Sequence, residues 1–139
     1  MLTLDFAREL LAAAEGAARE QDLALAFAIV DEGGHVVAVA RMDGAPWIAP
    51  EVALGKAWTA AAYRAPSAEQ GAKAKDLVAF AGAISAATHG RYTPQIGGLP
   101  VLVDGACVGG MGASGGTGAE DESVVATALE RIVGEPAGG

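Results

Sequence analysis

Leu99-Pro-Val-Leu-Val-Asp-Gly-Ala-Cys-Val-Gly-Gly-Met-Gly-Ala-Ser-Gly-Gly-Thr-Gly118 is the stretch whose reading decides the fold. Two apolar runs, Leu99–Val103 and Ala106–Gly110, flank Asp104-Gly105, a dipeptide suited to the tight turn of a β-hairpin. Directly afterwards Gly110-Met-Gly-Ala-Ser-Gly115 matches G-x-G-x-x-G, after a strand and before a helix, as a dinucleotide fingerprint does. That fingerprint belongs to a parallel βαβ unit with an acidic residue at the end of its second strand. Only residues 116–139 follow, which leaves no room for either. The nucleotide reading falls, and an antiparallel sheet takes its place. The glycines are read as a loop with two open roles. Their N–H groups near a helix start can hold a carboxylate or propionate, or their lack of side chains lets strand and helix pack closely.

Working outward, a second hairpin precedes the first in the chain. Leu25–Val30 and Val36–Ala40 are continuous apolar runs around Asp31-Glu-Gly-Gly-His35. Continuous rather than alternating apolar strands indicate a sheet covered on both faces. Helices are expected from Thr3, a suitable N-cap, to about Gln21, with Leu4, Ala7, Leu11, Ala14 and Ala18 at helical spacing. Further helices are expected over 49–64, stopped by Pro66, and from Ser67, where Gln70 completes a capping box. The stretch 77–90 reads as helix as far as about Ile84. A last helix covers 119–133, with Glu120, Asp121 and Glu122 in its first turn, where acids complement the helix dipole. The Pro136–Gly139 tail is expected to fray. The resulting order is α-ββ-αα-ββ-α, an α/β (α+β) class with helices on both sides of an antiparallel sheet. No linker or repeat divides the chain, so residues 1–139 read as a single domain.

Composition narrows the function classes. The chain is 52% hydrophobic but only 5% aromatic, so its core must be built from small, closely packed side chains. Such Ala-rich helix faces also suit a second subunit. A formal net charge of −8 argues against nucleic-acid binding, which needs a basic face, and against docking on anionic membranes. It leaves room for an anionic ligand, because a local Arg or Lys outweighs the global charge. Cys107 is alone, so no intramolecular disulfide forms, and it reads as a buried structural thiol. The first residues lack a basic segment and a long apolar stretch, so a cytoplasmic location is expected.

At this point several blocks, in order, resemble one family. They are Asp31-Glu-Gly-Gly34, Arg41-Met-Asp-Gly-Ala45, Lys56-Ala-Trp-Thr-Ala60, Pro66-Ser67, Gly97-Gly-Leu-Pro100, Asp104-Gly105, Gly109–Gly115 and Asp121-Glu122. Their order and spacing resemble the GlcG/HbpS-like (haem-degrading domain, DUF336) family over residues 31–122. The resemblance implies a profilin-like fold with a five-stranded antiparallel sheet flanked by helices, the fifth strand falling between Ile84 and Ile96. It also implies assembly as a dimer or larger homo-oligomer. Members of the family include haem-binding and haem-degrading sensor proteins, a domain attached to corrinoid adenosyltransferases, and glycolate-operon proteins. Some relatives are enzymes of small-molecule catabolism, including deamination of aminomuconate-type acids. The implied function is binding of haem or a related anionic cofactor. The alternative is an enzyme on a small carboxylate (isomerase, lyase or deaminase) with its pocket at a subunit interface. Fold alone does not choose between them.

Candidate residues follow from side-chain chemistry. Arg41 is a fixed positive fork suited to a carboxylate; Asp43 is either a base or the partner of an Arg41 salt bridge. Lys56, in an Ala-rich helix, either reaches solvent or points into a polar pocket, where it would be a base or amine nucleophile. Asp121 and Glu122 either complement the helix dipole or act as general acid or base. Gly112 and Ser114 are ligand contacts in the glycine loop. Trp47 is a pocket wall for a flat ligand, whereas Trp58 reads as packing. His35 and His89 lack the spacing of a zinc site. Either would suffice as one axial haem ligand, and each is otherwise a plain surface residue. Met42 and Met111 are weaker iron ligands, read as core.

Overall fold

In a computed structural model that describes residues 1–134, the chain forms nine elements. They are α1 (Leu4–Glu20), β1 (Ala26–Asp31), β2 (Val36–Arg41), α2 (Ala49–Tyr63), α3 (Ser67–Asp76), α4 (Val78–Ala87), β3 (Gly98–Val103), β4 (Ala106–Ser114) and α5 (Gly118–Val133). The expected tail, 136–139, lies outside the described residues. Thr3 caps α1 as expected, its hydroxyl accepting from the Phe6 N–H at 3.1 Å.

The two hairpins interleave into one sheet of order β2-β1-β4-β3, antiparallel throughout. β1 and β4 are central, and their side chains alternate between two cores. Phe27, Ile29, Met111 and Val101 face α1 and α5, meeting Leu10, Ala14, Val124 and Val125. Each large apolar side chain buried there is worth about 1.5–3 kcal/mol. On the opposite face Ala28 and Val30 meet Ala53, Ala57 and Ala61 of α2. These are one helical turn apart, so α2 presents a stripe of methyl groups. Gly110 and Gly112 lie beneath that stripe. A Cβ at Gly110 would run into the Ala57 carbonyl, and one at Gly112 into the Ala53 carbonyl. The low aromatic content thus becomes close helix-on-sheet contact, where many small dispersion gains replace a few large anchors.

This placement corrects the expected glycine loop. Residues 110–114 are the second half of a nine-residue strand, and the glycines there are flat β positions under a helix.

Two further expectations change. Among the described residues the sheet has four strands rather than five. The segment between Ile84 and Ile96 ends α4, turns, and then crosses beside α2. There the Thr93 N–H donates to Thr59 Oγ1 at 2.8 Å, and the buried Tyr92 hydroxyl donates to Gln70 at 3.0 Å. Side chains and local turn bonds take its backbone groups, including the Tyr92 and Thr93 N–H groups and the Tyr92 and Gln95 carbonyls, in place of a neighbouring strand. The order is also α-ββ-ααα-ββ-α, because 67–87 breaks into two helices at Leu77.

Ser67 does not cap α3. Its hydroxyl accepts from the Gly98 N–H at 2.9 Å, pinning the start of edge strand β3. Pro100, inside the same strand, has no N–H to offer, so this edge is blunted.

Apart from Ser85, α4 consists of apolar residues and glycine, yet it contains no buried residue, and among the elements it contacts only α3. Leu77, Val78 and Phe80 are exposed. No helix of the described residues is long and apolar enough to cross a membrane.

Candidate functional site

Lys56 lies on the inner side of α2, one turn from Ala53 and Ala60, and is 4% exposed. Its ammonium donates to Asp121 Oδ2 at 3.0 Å and to the Ala113 carbonyl at 3.0 Å. Gly97 leaves the space it occupies: a Cβ there would sit 2.7 Å from Lys56 Nζ.

Asp121 is placed by the start of α5. Thr117 and Glu120 form a reciprocal capping box, and the Asp121 N–H closes the first turn on the Thr117 carbonyl at 2.9 Å. The free carboxylate oxygen, Oδ1, accepts from the Gly116 N–H at 3.0 Å. The carboxylate therefore has a cation, a backbone donor and the positive end of a helix dipole around it. A buried charge pair is stable only when its remaining lone pairs and protons are also bonded, and here they largely are.

This pair floors a cleft of about 340 Å³ at the end of the sheet, with Ser114, Gln95 and Gly116 among its walls. Lys56, Asp121 and Ser114 are thus brought together from α2, α5 and β4. Glu122 is partly buried and lies outside the cleft. Gly112 also lies outside it, beneath α2, where its missing Cβ would meet the Ala53 carbonyl. Gln95 had no signal in the sequence beyond its place before the Gly97-Gly98 block.

The other candidates are dispersed. Arg41 ends β2, paired with Ala26, which pairs on its other side with Ser114. The three share a row and a face of the sheet, but Arg41 is exposed and does not line the cleft. Arg41 and Asp43 form no ion pair, and Asp43 is exposed. Trp47, in the loop before α2, is 77% exposed. His35 belongs to the β1–β2 turn, where Asp31 Oδ1 accepts from the Gly33 and His35 N–H groups and lies 3.2 Å from His35 Nδ1. The His35 backbone bond is the main reason the Asp31 carboxyl is held below its usual range. His89 is exposed in the turn after α4. No group of three or more metal-ligating side chains occurs among the described residues. Met111 is core; Met42 is partly buried against it. Cys107 is a partly buried free thiol beside the Gly109 carbonyl.

A second concavity, of about 660 Å³, lies between the α2–α3 corner, β3 and α5. Its walls are Leu99, Pro100, Leu102, Leu129 and Val133, with Arg64 among its lining residues. None of the candidate ligand, catalytic or iron-binding residues named from the sequence lines it, although Pro66, Leu99 and Pro100 of the recognised blocks do.

The family described as haem degrading protein HbpS-like matches residues 2–130. The chain belongs to the HbpS-like family. GlcG of Escherichia coli K12 is 34% identical over 114 residues, covering 82% of this chain and 81% of GlcG. Among solved structures, Klebsiella pneumoniae ORFY is similar with a TM-score of 0.87 and 29% identity, over 96% of this HbpS-like chain and 92% of ORFY. The PduOC:haem complex is similar with a TM-score of 0.82 and 30% identity, over 90% of each chain.

Proposed function

We propose that this HbpS-like protein binds haem or a related planar anionic cofactor. The observation that carries the reading is its likeness to the PduOC:haem complex, at 30% identity over nine-tenths of both chains. The larger concavity offers such a ligand an apolar wall, with Arg64 beside Glu69 and Glu130 in its lining. His35 and His89 line neither concavity, so the reading does not depend on a histidine ligand. Micromolar haemin added to the protein should develop a bound Soret band; an unchanged haemin spectrum overturns the reading.

A second reading, an enzyme on a small carboxylate, rests on the buried Lys56–Asp121 pair flooring a polar cleft. A carboxylate there would meet the Ser114 hydroxyl and the Lys56 ammonium, which Asp121 holds in place. Thermal-shift titration with a panel of small mono- and dicarboxylates tests this. A rise in Tm that Ser114→Ala removes supports it, and no shift with any member counts against it.

Both readings take the protein as a homo-oligomer, supported by the largely apolar, uncovered α4.

A further inference from the structure

β2 is the open edge of the sheet, since β3, the other edge, carries Pro100 and is pinned at Gly98 by Ser67. The direction of its free backbone groups follows from its bonds to β1. At one end the Met42 N–H donates to the Leu25 carbonyl at 2.9 Å; at the other the Asp31 N–H donates to the His35 carbonyl at 2.9 Å. Between them the register shifts once, leaving Val37 without a partner. Bonded and unbonded pairs alternate along an antiparallel ladder, so Val36, Val39 and Arg41 turn their N–H and C=O groups away from β1. Val36 and Val39 also point to the α2 side of the sheet, opposite Val30 and Ala28, yet they stay 51% and 43% exposed.

Charge is laid out along the same edge. Arg41 is the one charged residue of β2, while Asp31 and Glu32 stand past its other end, in the β1–β2 turn. Arg41 and Glu32 are exposed and enter no ion pair among the described residues. Beyond Arg41 the chain turns off the strand line, the Ala45 N–H donating to the Met42 carbonyl at 3.1 Å, and Asp43 leaves with it.

A strand that pairs with itself antiparallel must match its own reversed order, and β2 does. With Val36 opposite Val39 of the partner subunit, the two-fold axis sets Val39 opposite the partner's Val36. Their outward backbone groups then meet, and the valines form cross-strand contacts. The same register lays Arg41 beside the turn that carries the partner's Glu32. We infer that two copies of the chain join through β2 about a two-fold axis, making one eight-stranded sheet with an Arg41–Glu32 ion pair at each end of the seam. The inference rests on the homo-oligomer reading and gives it a contact apart from α4.

Sedimentation velocity on the full chain over a range of concentrations tests it. The variants are Glu32→Arg, Arg41→Glu, the double reversal Glu32→Arg/Arg41→Glu, and Val39→Pro. All three side chains are exposed, so far-UV circular dichroism should match the parent throughout. Either single reversal sets like charges together twice per dimer and should raise the dissociation constant about tenfold or more. The double reversal should restore the parent's association, which a local effect of either residue would not do. Val39→Pro removes an N–H that bonds nothing within the chain and should dissociate the contact. Should that variant lose its fold, the reversals and their rescue decide alone. A parent that associates, with a size distribution that none of the variants changes, overturns the β2 contact and leaves the homo-oligomer reading standing. A parent that is monomeric throughout overturns both. Single reversals that weaken association without rescue in the double variant overturn the Arg41–Glu32 pairing and the register built on it.

Discussion

Lys56 Nζ and Asp121 Oδ2 lie 3.0 Å apart with their side chains 5% and 2% exposed, joining helices that cover opposite faces of the sheet. The contact passes round the end of β4, where the Ala113 carbonyl takes a second Lys56 proton. One ion pair therefore braces α2 against α5 without passing through the sheet.

Removing one partner leaves an uncompensated buried charge. Lys56→Met or Asp121→Leu should each lose stability, by about 3–5 kcal/mol for the lysine change. The double variant Lys56→Met/Asp121→Leu should lose markedly less than the sum, because apolar packing replaces both charges. Urea denaturation of the four proteins measures the coupling; strict additivity would show that the pair is not energetically linked.

Gly112→Ala places a methyl group against the Ala53 carbonyl and the Ala57 N–H of α2. The helix must move away, at a cost of about 2 kcal/mol or more. Gly105→Ala serves as the comparison, since a Cβ there meets nothing, although its φ of 82° still disfavours alanine. The first variant should also disturb Lys56, which α2 carries, and so change any Tm shift produced by a carboxylate.

α4 should report on assembly. Phe80→Glu and Val78→Glu change exposed side chains, so the fold should keep its stability to within about 0.5 kcal/mol. Sedimentation velocity should show smaller species for both. Unchanged species would remove α4 from the subunit contact.

The β1–β2 turn carries a pH dependence. Asp31 is held below its ordinary value of 3.8, chiefly by the His35 backbone N–H. A depressed carboxyl contributes stability above the unfolded value, and that contribution is lost as pH falls through the lower folded value. Asp31→Ala should therefore lower Tm at neutral pH, and its deficit should close as the pH falls below 3.8. A deficit constant across that window would mean that the charge is not what holds the turn.

The sequence made both hairpins legible, because Asp104-Gly105 and the 31–35 segment punctuate apolar runs. The outer helices were legible because Thr3 and the first-turn acids of α5 mark their starts. What misled was glycine. At 109–118 it signals a loop equally well as close packing, and only the position of α2 over Gly110 and Gly112 separates the two. Lys56 drew attention as a charge in an alanine-rich helix. Its partner lies 65 residues on, beyond the reach of periodicity. The groove was invisible because Leu99, Leu102 and Leu129 look like core in a sequence.

The blunted β3 edge, where Ser67 takes the Gly98 N–H and Pro100 offers none, limits how copies of this protein can misassociate. Fibrils grow by adding strands on both sides of a sheet. Here one side is closed to that addition and only β2 is left, so strand exchange between molecules terminates at a pair instead of propagating.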